Sequence, residues 1–374
     1  MRQERIRAVF MRGGTSRALF FHEADLPKDP AVRDRILLAA LGSPDPYGRQ
    51  LDGLGGGISS LSKVMIVGRP SVPEADVDYT FAQVSVTEPL VDYTGNCGNC
   101  TAAVGPFAID EGLVPPVEPE TSVRLHNTNT RKLVVARVPV SGGEAAVTGD
   151  FELQGVPGSG ARIALDFLEP GGAVTGSLLP TGRSRDLLEV PSMGAVEASV
   201  VDATNPVVFV RAGDLGLRGT ELPERIDGDR ALLERLEAIR SAGARLMGIG
   251  PGPALPKIAV VAPPATFRAL DGRLVEAAEA DLTARVISMG KCHRAFALTG
   301  AMCLAVAARI EGSVVHEALG TVPPADVRLA HPSGVLPIDA AVERRAGEWW
   351  VRHVTVYRTA RRLMEGFVRV PALI

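Results

Sequence analysis

Hydrophobic and polar residues alternate along many short stretches of this chain, and turns rich in glycine or proline separate these stretches. A period of two predicts β-strands, which present one side chain to a core and the next to solvent. The strands predicted in this way are RIRAVFMR (5–12), ALFFHE (18–23), KVMIVG (63–68), DYTFAQVSV (78–86), SVRLHN (122–127), KLVVARVPV (132–140), ARIALDFL (161–168), EASVVDA (197–203), VVFVRA (207–212), KIAVVA (257–262), ARVISM (284–289) and RHVTVYR (352–358).

Helical periodicity is confined to a few longer segments. They are AVRDRILLAALG (31–42), TAAVGPFAIDEG (101–112), DRALLERLEAIRSAGARLMG (229–248) and AFALTGAMCLAVAARI (295–310). The second and fourth are apolar almost all round, which is typical of helices enclosed by other elements. The pattern therefore predicts an α+β fold in which strands predominate.

The two apolar helices belong to a weak internal repeat. Four stretches match in the same order: GTSRALFF with ATNPVVFV, NCGNCTAA with SMGKCHRA, DEG with IEG, and SVRLHN with DVRLAH. The repeat predicts a duplicated domain with a boundary near residue 185, giving an N-terminal domain over 1–185 and a C-terminal domain over 186–374. A cleft between two such domains is the expected place for a ligand.

Composition narrows the class of protein. The 374 residues carry a formal net charge of −3, and no dense block of Lys or Arg is present, which argues against nucleic-acid or anionic-membrane partners. No apolar run has the length of a membrane span or a signal peptide, so we expect a cytoplasmic protein. Four cysteines in so long a chain do not form a disulfide framework.

The segment YTGNCGNCT holds a C-x-x-C pair, Cys97 and Cys100. A zinc site would need a second pair of ligands, and Cys292 followed by His293 lacks that spacing; a redox pair would need a thioredoxin-like context. Cys100, Cys292 and Cys303 are expected to be small buried residues. Cys97 differs because glycine and asparagine surround it and leave it accessible.

In both halves a strand leads through a glycine-containing turn toward an apolar helix. Unpaired N–H groups at a helix N-terminus attract carboxylates and stabilise thiolates. Two such turns would bind a small polycarboxylate. The expected contacts are Asn96, Gly98 and Asn99 in the first half and Ser288, Met289, Gly290, Lys291 and His293 in the second, together with Arg12, Thr15 and Ser16 from the turn MRGGTS.

Several segments together resemble a known family. MRGGTSRALFF, SSLSKVMIV, TGNCGNC, LPTG, SMGKCHRAFALTGA, HPSG and RTARRLMEG are similar to the signatures of the PrpF family of 2-methylaconitate isomerases, which includes 4-oxalomesaconate tautomerases and methylitaconate isomerase. The resemblance implies a diaminopimelate-epimerase-like fold: two pseudo-symmetric domains, each a barrel-like sheet around a central helix, with the active site between them. It also implies that Lys63 and Cys97 are catalytic, and it suggests a homodimer.

One difference from the epimerase pattern bears on the chemistry. Under the repeat, Cys97 aligns with Met289, and a thioether cannot transfer a proton, so a two-thiol mechanism is disfavoured. Lys63 supplies the second acid or base. We expect Lys63 to be the base that starts the reaction and Cys97 the partner acid, while the reverse assignment stays open.

The expected reaction is the movement of a double bond in a small unsaturated di- or tricarboxylate by allylic proton transfer. It requires neither a metal nor a redox cofactor, and GLGGGISS (53–60) lacks the order of a phosphate-binding loop. Two alternatives from other classes stay open: a pyridoxal phosphate enzyme that uses Lys63, and a non-catalytic carboxylate-binding protein. The sequence does not distinguish 2-methylaconitate, 4-oxalomesaconate and methylitaconate as substrates.

Overall fold

A computed structural model describes residues 3–93, 96–191, 193–250, 255–288 and 290–372. The strands are β1 (Gln3–Gly13), β2 (Ser16–His22), β3 (Lys63–Gly68), β4 (Val77–Val84), β5 (Val91–Asp92), β6 (Glu120–Asn127), β7 (Lys132–Ser141), β8 (Glu144–Ala145), β9 (Phe151–Glu152), β10 (Ser159–Gly160), β11 (Ile163–Leu168), β12 (Asp186–Val190), β13 (Gly194–Ala203), β14 (Asn205–Arg211), β15 (Lys257–Ala262), β16 (Phe267–Arg268), β17 (Leu274–Val275), β18 (Leu282–Ser288), β19 (Lys291–Cys292), β20 (Val327–His331), β21 (Gly334–Arg345), β22 (Glu348–Arg358) and β23 (Ala360–Pro371).

The helices are α1 (Pro30–Leu41), α2 (Gly98–Thr101), α3 (Val104–Asp110), α4 (Pro223–Asp227), α5 (Arg230–Leu246), α6 (Leu298–Arg309) and α7 (Val314–Leu319). The strand-rich α+β class is therefore confirmed. The segment predicted as one helix over 101–112 is interrupted at Ala102 and Ala103. Pro106 then falls in the first turn of α3, where its missing N–H has no intrahelical partner to lose.

The chain divides into two compact units, residues 1–167 with 357–374, and residues 168–356. This division differs from the boundary expected near residue 185, which lies inside the second unit. At the C-terminus, β23 runs antiparallel along β1, from Gln3 opposite Pro371 to Gly13 opposite Ala360. The last strand therefore belongs to the first unit.

Each unit has the same order of strand pairing. In the first, β1 pairs with β2, β2 runs parallel to β3, β3 pairs with β4, β4 runs parallel to β6, and β6, β7 and β11 follow. In the second, β13 pairs with β14, β14 runs parallel to β15, β15 pairs with β18, β18 runs parallel to β20, and β21 and β22 follow. The parallel pairs fall at the same two places, which supports the duplication.

Three of the four sequence matches are equivalent positions in this order. Phe20 and Phe209 lie in β2 and β14, and Gly112 and Gly312 follow α3 and α6 with φ of 69° and 84°. Arg124 and Arg328 form the same bridge to the residue before β4 and before β18. Their Nη2 atoms lie 2.6 Å from Asp76 Oδ1 and 2.7 Å from Asp281 Oδ1, respectively. The fourth match is wrong and is taken up with the site below.

The apolar helices form the interior of each unit. In α3, Val104, Phe107 and Ala108 are fully buried, and the helix packs against β3, β6, β7 and β8. In α6, every residue from Gly300 to Ala308 is buried, and the helix packs against β13, β14, β20 and β21. No helix of the described ranges is long and apolar enough to span a membrane.

Candidate active site

Three strands of the first unit bring polar side chains to one edge. Ser16 is the first residue of β2 and Lys63 the first of β3, and the parallel register places Ala18 opposite Lys63. Gln83, near the end of β4, lies opposite Lys63 in the antiparallel pair. Cys97 follows β5 and immediately precedes α2. The fold thus gathers two predicted catalytic residues and Ser16 at the same end of the sheet.

Lys63 is a buried cation held by an amide. Its side chain is 9 % exposed, and Nζ donates to Gln83 Oε1 at 2.6 Å. Gln83 is oriented in turn because its Nε2 donates to the Ser62 carbonyl at 2.9 Å and to the Ser59 carbonyl at 3.1 Å. The ammonium also lies 4.9 Å from the centre of the Phe81 ring. Among the described residues no acidic side chain lies within ion-pair distance of Lys63, so its charge is available to an anion.

Cys97 is a half-buried free thiol with a pKa lowered to about 5. The largest cause is a hydrogen bond from the Cys100 thiol, followed among the favourable causes by the charge of Lys63, the Cys100 N–H and Ser16, while burial opposes the shift. Ser16 Oγ lies 3.9 Å from Cys97 Sγ. The Cys97 thiol is therefore a thiolate at neutral pH.

In the C-x-x-C pair, the Cys100 thiol therefore donates a hydrogen bond and the Cys97 thiolate accepts it. Cys100 is fully buried, and burial together with its bond to Cys97 raises the pKa of its thiol well above the ordinary value. The four cysteines are free thiols, as expected from the sequence. The described ranges contain no group of three or more His, Cys, Asp or Glu side chains arranged to hold a metal ion.

A polar network fixes the backbone before α2. The Asn96 side chain accepts the Cys97 N–H at 2.7 Å and donates from Nδ2 to the hydroxyl of the buried Tyr79 at 3.2 Å. Thr101 Oγ1 donates to the Cys97 carbonyl at 3.0 Å. Asn96 was expected to contact substrate; here its side chain holds the peptide of the reactive cysteine, so its effect on a ligand would pass through Cys97.

The glycines of MRGGTS let β1 approach α2 closely. A Cβ on Gly13 would lie 2.4 Å from the Asn99 carbonyl oxygen, and a Cβ on Gly14 would lie 2.3 Å from Asn99 Oδ1. Gly14 also has φ of 52°, which favours glycine. Thr15 Oγ1 accepts from Asn99 Nδ2 at 3.1 Å. The predicted residues Thr15, Gly98 and Asn99 are thus brought together beside Cys97.

Arg12 has a different environment from the one expected. Its Nη1 donates to the Gly14 carbonyl at 2.9 Å and to the carbonyl and hydroxyl of Thr359 at 3.0 and 2.9 Å. Burial, and then the charge of Arg361, lowers the pKa of its guanidinium. Arg12 therefore ties the turn at residues 13–16 to the chain following β22, and substrate contact by its other nitrogens stays a prediction.

Arg358 is a site residue that the sequence did not reveal. Its side chain is buried, and burial lowers its pKa to about 10, while the negative charge of Cys97 acts in the opposite direction. Nε donates to Asn99 Oδ1 at 2.9 Å, and Nη1 donates to the Tyr357 carbonyl at 2.7 Å. A second buried cation therefore faces the thiolate. In the sequence it is hidden among the other arginines of RTARR.

The residues predicted in the second unit lie in a hairpin and not at a helix start. Ser288 ends β18, Lys291 begins β19, and the two are paired across the turn that contains Gly290. His293 follows β19, and α6 begins only at Leu298. The expectation that Ser288, Gly290 and Lys291 mirror Gly98 and Asn99 is therefore wrong. Met289 lies outside the described residues.

The error has a simple cause in loop length. The turn between β4 and β5 spans residues 85–90, whereas Ser288, which ends β18, and Lys291, which begins β19, are only three positions apart. The alignment of NCGNC with SMGKC ignores this difference in loop length, so it pairs positions that are not structurally equivalent. In the topology Asp92 and Cys292 end equivalent strands, and Cys97 corresponds to Ala297, the residue before α6. The second unit thus carries no thiol at the position of Cys97.

Comparisons with known proteins agree on one family. A family model described as "PrpF protein" matches residues 3–371. The 2-methyl-aconitate isomerase of Shewanella oneidensis is 43% identical over 99% of this chain and 98% of its own length. The 4-oxalomesaconate tautomerase of Pseudomonas putida is 40% identical over 98% and 97%. A crystal structure of methylitaconate-delta-isomerase is 44% identical, covers 98% of this chain and 96% of that one, and superposes with a TM-score of 0.93.

Proposed function

The chain belongs to the PrpF family, and we propose that it is an isomerase that moves the double bond of a small unsaturated di- or tricarboxylate by 1,3-allylic proton transfer. The observation that carries the proposal is the pairing of a thiol of pKa about 5 with a buried ammonium, Cys97 and Lys63, at one edge of the first unit. Such a pair supplies one group that takes a proton and one that gives a proton.

Of the two possible acid–base assignments, the contacts of the two side chains favour the Cys97 thiolate as the base and Lys63 as the acid. Lys63 Nζ donates to Gln83, and its positive charge lowers the pKa of the Cys97 thiol. This reverses the assignment preferred from sequence. The thiolate takes a proton from the carbon next to the double bond, and the electron pair left behind spreads over the allyl system and its carboxylate.

The dienolate formed in this way is then protonated at the far end of the allyl system by the Lys63 ammonium. One proton leaves the substrate and one returns, so no oxidant or reductant enters the balance. Transfer of the proton from the Cys97 thiol to the Lys63 amine restores the starting state. Cations fixed beside the developing charge stabilise it without reorganisation, and Lys63 and Arg358 are buried cations whose charges interact with the Cys97 thiolate.

The substrate is proposed as a class. Relatives named for 2-methyl-aconitate and 4-oxalomesaconate are 43% and 40% identical over nearly the whole chain, and the methylitaconate isomerase structure is 44% identical. These values do not separate the three compounds, which share carboxylates on a short unsaturated skeleton. The diaminopimelate-epimerase-like arrangement, a homodimer and a cytoplasmic location stay predictions.

Proton NMR in D₂O tests the proposal. The purified protein is incubated separately with 2-methylaconitate, 3-methylitaconate and 4-oxalomesaconate. Movement of the double bond with deuterium uptake is expected for at least one compound, and loss of about 10²-fold or more in rate is expected for Lys63→Met and for Cys97→Ala. Lys28→Met and Cys303→Ala, which remove an exposed lysine and a thiol within α6, should retain the rate.

The same variants distinguish the proposed isomerase from the two alternative functions. A pyridoxal phosphate enzyme would show visible absorbance that disappears in Lys63→Met. A non-catalytic carboxylate-binding protein would leave all three compounds unchanged. A thiolate base also predicts that kcat/KM falls on the acid side with a midpoint near pH 5, because the Cys97 thiol is protonated as the pH decreases through its pKa. An unchanged rate in both Lys63→Met and Cys97→Ala would refute the proposed mechanism, whereas a wild-type protein that changes none of the three compounds would refute the proposed function.

A further inference from the structure

The glycine-rich segment GLGGGISS (53–60) closes around one buried amide, that of Gln50. Gln50 is 1 % exposed, and its Oε1 accepts the Gly57 N–H at 2.9 Å. A Cβ on Gly55 would lie 2.2 Å from the same oxygen. The glycines therefore let the backbone approach the Gln50 carboxamide, which gives this segment a role other than phosphate binding.

The backbone of Gln50 adopts a conformation that favours glycine. Its φ is 54°, in the left-handed region that few other residues occupy. The Gln50 N–H donates to Asp45 Oδ2 at 2.6 Å, and the side-chain Nε2 donates to Ser43 Oγ at 2.8 Å. Because glycine would fit this conformation with less strain, the contacts of the side chain account for a glutamine at this position.

A second hydrogen bond to Gln50 Oε1 comes from Ser62, the residue before Lys63. Ser62 is fully buried, and its hydroxyl donates to Gln50 Oε1. Both acceptor positions of this amide oxygen are therefore used, one by the Gly57 N–H and one by the Ser62 hydroxyl. The two bonds fix the two ends of the segment 57–62, which leads directly into β3.

The end of this segment orients the amide that binds Lys63. Gln83 Nε2 donates to the Ser62 carbonyl at 2.9 Å, and Lys63 Nζ donates to Gln83 Oε1 at 2.6 Å. Because the nitrogen and the oxygen lie on opposite sides of an amide, the bond to Ser62 turns the oxygen of Gln83 toward the ammonium. Gln50, Ser62, Gln83 and Lys63 thus form one hydrogen-bonded relay, and all four residues belong to the first unit.

We infer that Gln50 is a positioning residue for Lys63 and acts on it through this relay. The amide of Gln50 fixes Ser62, the carbonyl of Ser62 orients Gln83, and Gln83 fixes the ammonium. The three side chains that lead to Lys63 are neutral, so they place its charge without compensating it. The inference rests on the proposed function for the role of Lys63 as the acid.

Turnover of the compound that the wild type isomerises is the first test. Gln50→Met removes the amide at similar length, and Ser62→Ala removes only the hydroxyl. Each should lower kcat about 10- to 100-fold, because a displaced catalytic group is less effective by such factors. KM should change by less than about threefold, since the relay does not bind substrate. Gln50→Glu keeps an acceptor for the Gly57 N–H and the Ser62 hydroxyl, and it should retain a higher kcat than Gln50→Met.

The alkylation of Cys97 by iodoacetamide reports the position of Lys63 without turnover. The charge of Lys63 is one cause of the lowered pKa of the Cys97 thiol. A displaced ammonium should therefore raise the pH midpoint of alkylation by about 0.5 to 1 unit in Gln50→Met and in Ser62→Ala, less than its removal in Lys63→Met. The double variant should shift the midpoint no further than Gln50→Met alone, because both substitutions break the same hydrogen bond.

Thr121→Val is the matched control for a loss of stability alone. Thr121 is buried in the first unit outside the relay, and its hydroxyl bonds to the N–H and the carbonyl of Val117 at 2.7 and 2.9 Å. This variant should unfold at lower urea concentration with kcat and the Cys97 midpoint unchanged. Circular dichroism establishes that each variant is folded; should Gln50→Met fail to fold, Ser62→Ala decides the question. Wild-type kcat and midpoint in Ser62→Ala, or equal losses of kcat in Thr121→Val, would overturn the inference.

Failure of the inference is distinguishable from failure of the proposed function. Isomerisation that is lost in Lys63→Met, with wild-type kcat and Cys97 midpoint in Gln50→Met and Ser62→Ala, would refute the inference alone. A wild-type protein that changes none of the three compounds would refute the proposed function, while a raised midpoint in Gln50→Met and Ser62→Ala, absent from Thr121→Val, would still support the relay.

Discussion

The reactivity of Cys97 toward iodoacetamide should follow a titration with a midpoint near pH 5. The alkylation rate depends on the thiolate fraction, and the structure gives this thiol a pKa of about 5 against an ordinary value of 9.0. This difference corresponds to about 5 kcal/mol of preference for the thiolate. At pH 7 about 99% of Cys97 is then ionised, whereas a cysteine with the ordinary value of 9.0 is about 1% ionised.

The direction with pH follows from the lowered pKa. The thiolate is present above pH 5 and is lost as the pH falls through this value, so the rate should level off above about pH 6 and decline about tenfold by pH 4. The plateau itself should be below that of a fully ionised ordinary thiol, because a thiolate of low pKa is a weaker nucleophile.

Two substitutions test the causes of the shift. Cys100→Ala removes the largest cause, the thiol hydrogen bond, and Lys63→Met removes a positive charge. Each should move the midpoint upward, for Lys63→Met by about 1 to 3 units, which is the usual effect of removing a neighbouring opposite charge. Lys28→Met, which removes an exposed lysine, should leave the midpoint unchanged.

Mass spectrometry of peptides after brief labelling measures the rate at each pH. The peptide containing Cys97 should be the one modified, because Cys100, Cys292 and Cys303 are buried and their pKa values are raised. A midpoint above about pH 8 for Cys97, or equal labelling of a buried cysteine in the folded protein, would refute the reasoning about the site.

Two further predictions concern the residues that hold this site. Gly14→Ala should reduce the free energy of unfolding by about 1–3 kcal/mol in urea titrations, because its Cβ would clash with Asn99 at a backbone φ of 52°; Gly213→Ala, where a Cβ meets nothing within 4 Å, should be near neutral. Arg358→Met should cost about 1–3 kcal/mol by leaving Asn99 Oδ1 without its donor, and it should raise the alkylation midpoint of Cys97; an unchanged midpoint would show that the guanidinium does not act on the thiolate.

Many strands of the fold could be predicted from the sequence because hydrophobic and polar residues alternate regularly along them. Each of the twelve predicted strands overlaps one strand of the structure, from RIRAVFMR in β1 to RHVTVYR in β22, and five of them extend one or two residues past it. β23 was not predicted because its exposed face carries arginine and glutamate and because Gly366 interrupts the alternation of hydrophobic and polar residues. The pairing of β23 with β1 joins residues 347 to 368 positions apart, and local patterns carry no information about such a contact.

The sequence revealed a site residue that has unusual neighbours in the chain, and it did not reveal one that only the folded arrangement brings to the site. Cys97 stood out because of its glycine and asparagine neighbours. Arg358 did not, since an arginine among arginines has no local signal. Lys63 and Lys257 each begin the strand that runs parallel to its predecessor, so their equivalence lies in strand register and not in similar letters. SMGKC and NCGNC show the opposite case, because they are similar in sequence but occupy different positions in the structure.

The pairing of β23 with β1 has a consequence for synthesis. The second unit, residues 168–356, is complete in the nascent chain before residues 357–374 have been made. The first unit begins earlier but lacks the partner of β1 and the residues Arg358 and Thr359 until residues 168–356 have all been made. Because domains fold as units as they emerge, the half that was started first should be finished last. The reactive thiolate of Cys97 would then acquire its full surroundings only after the whole second unit has been synthesised.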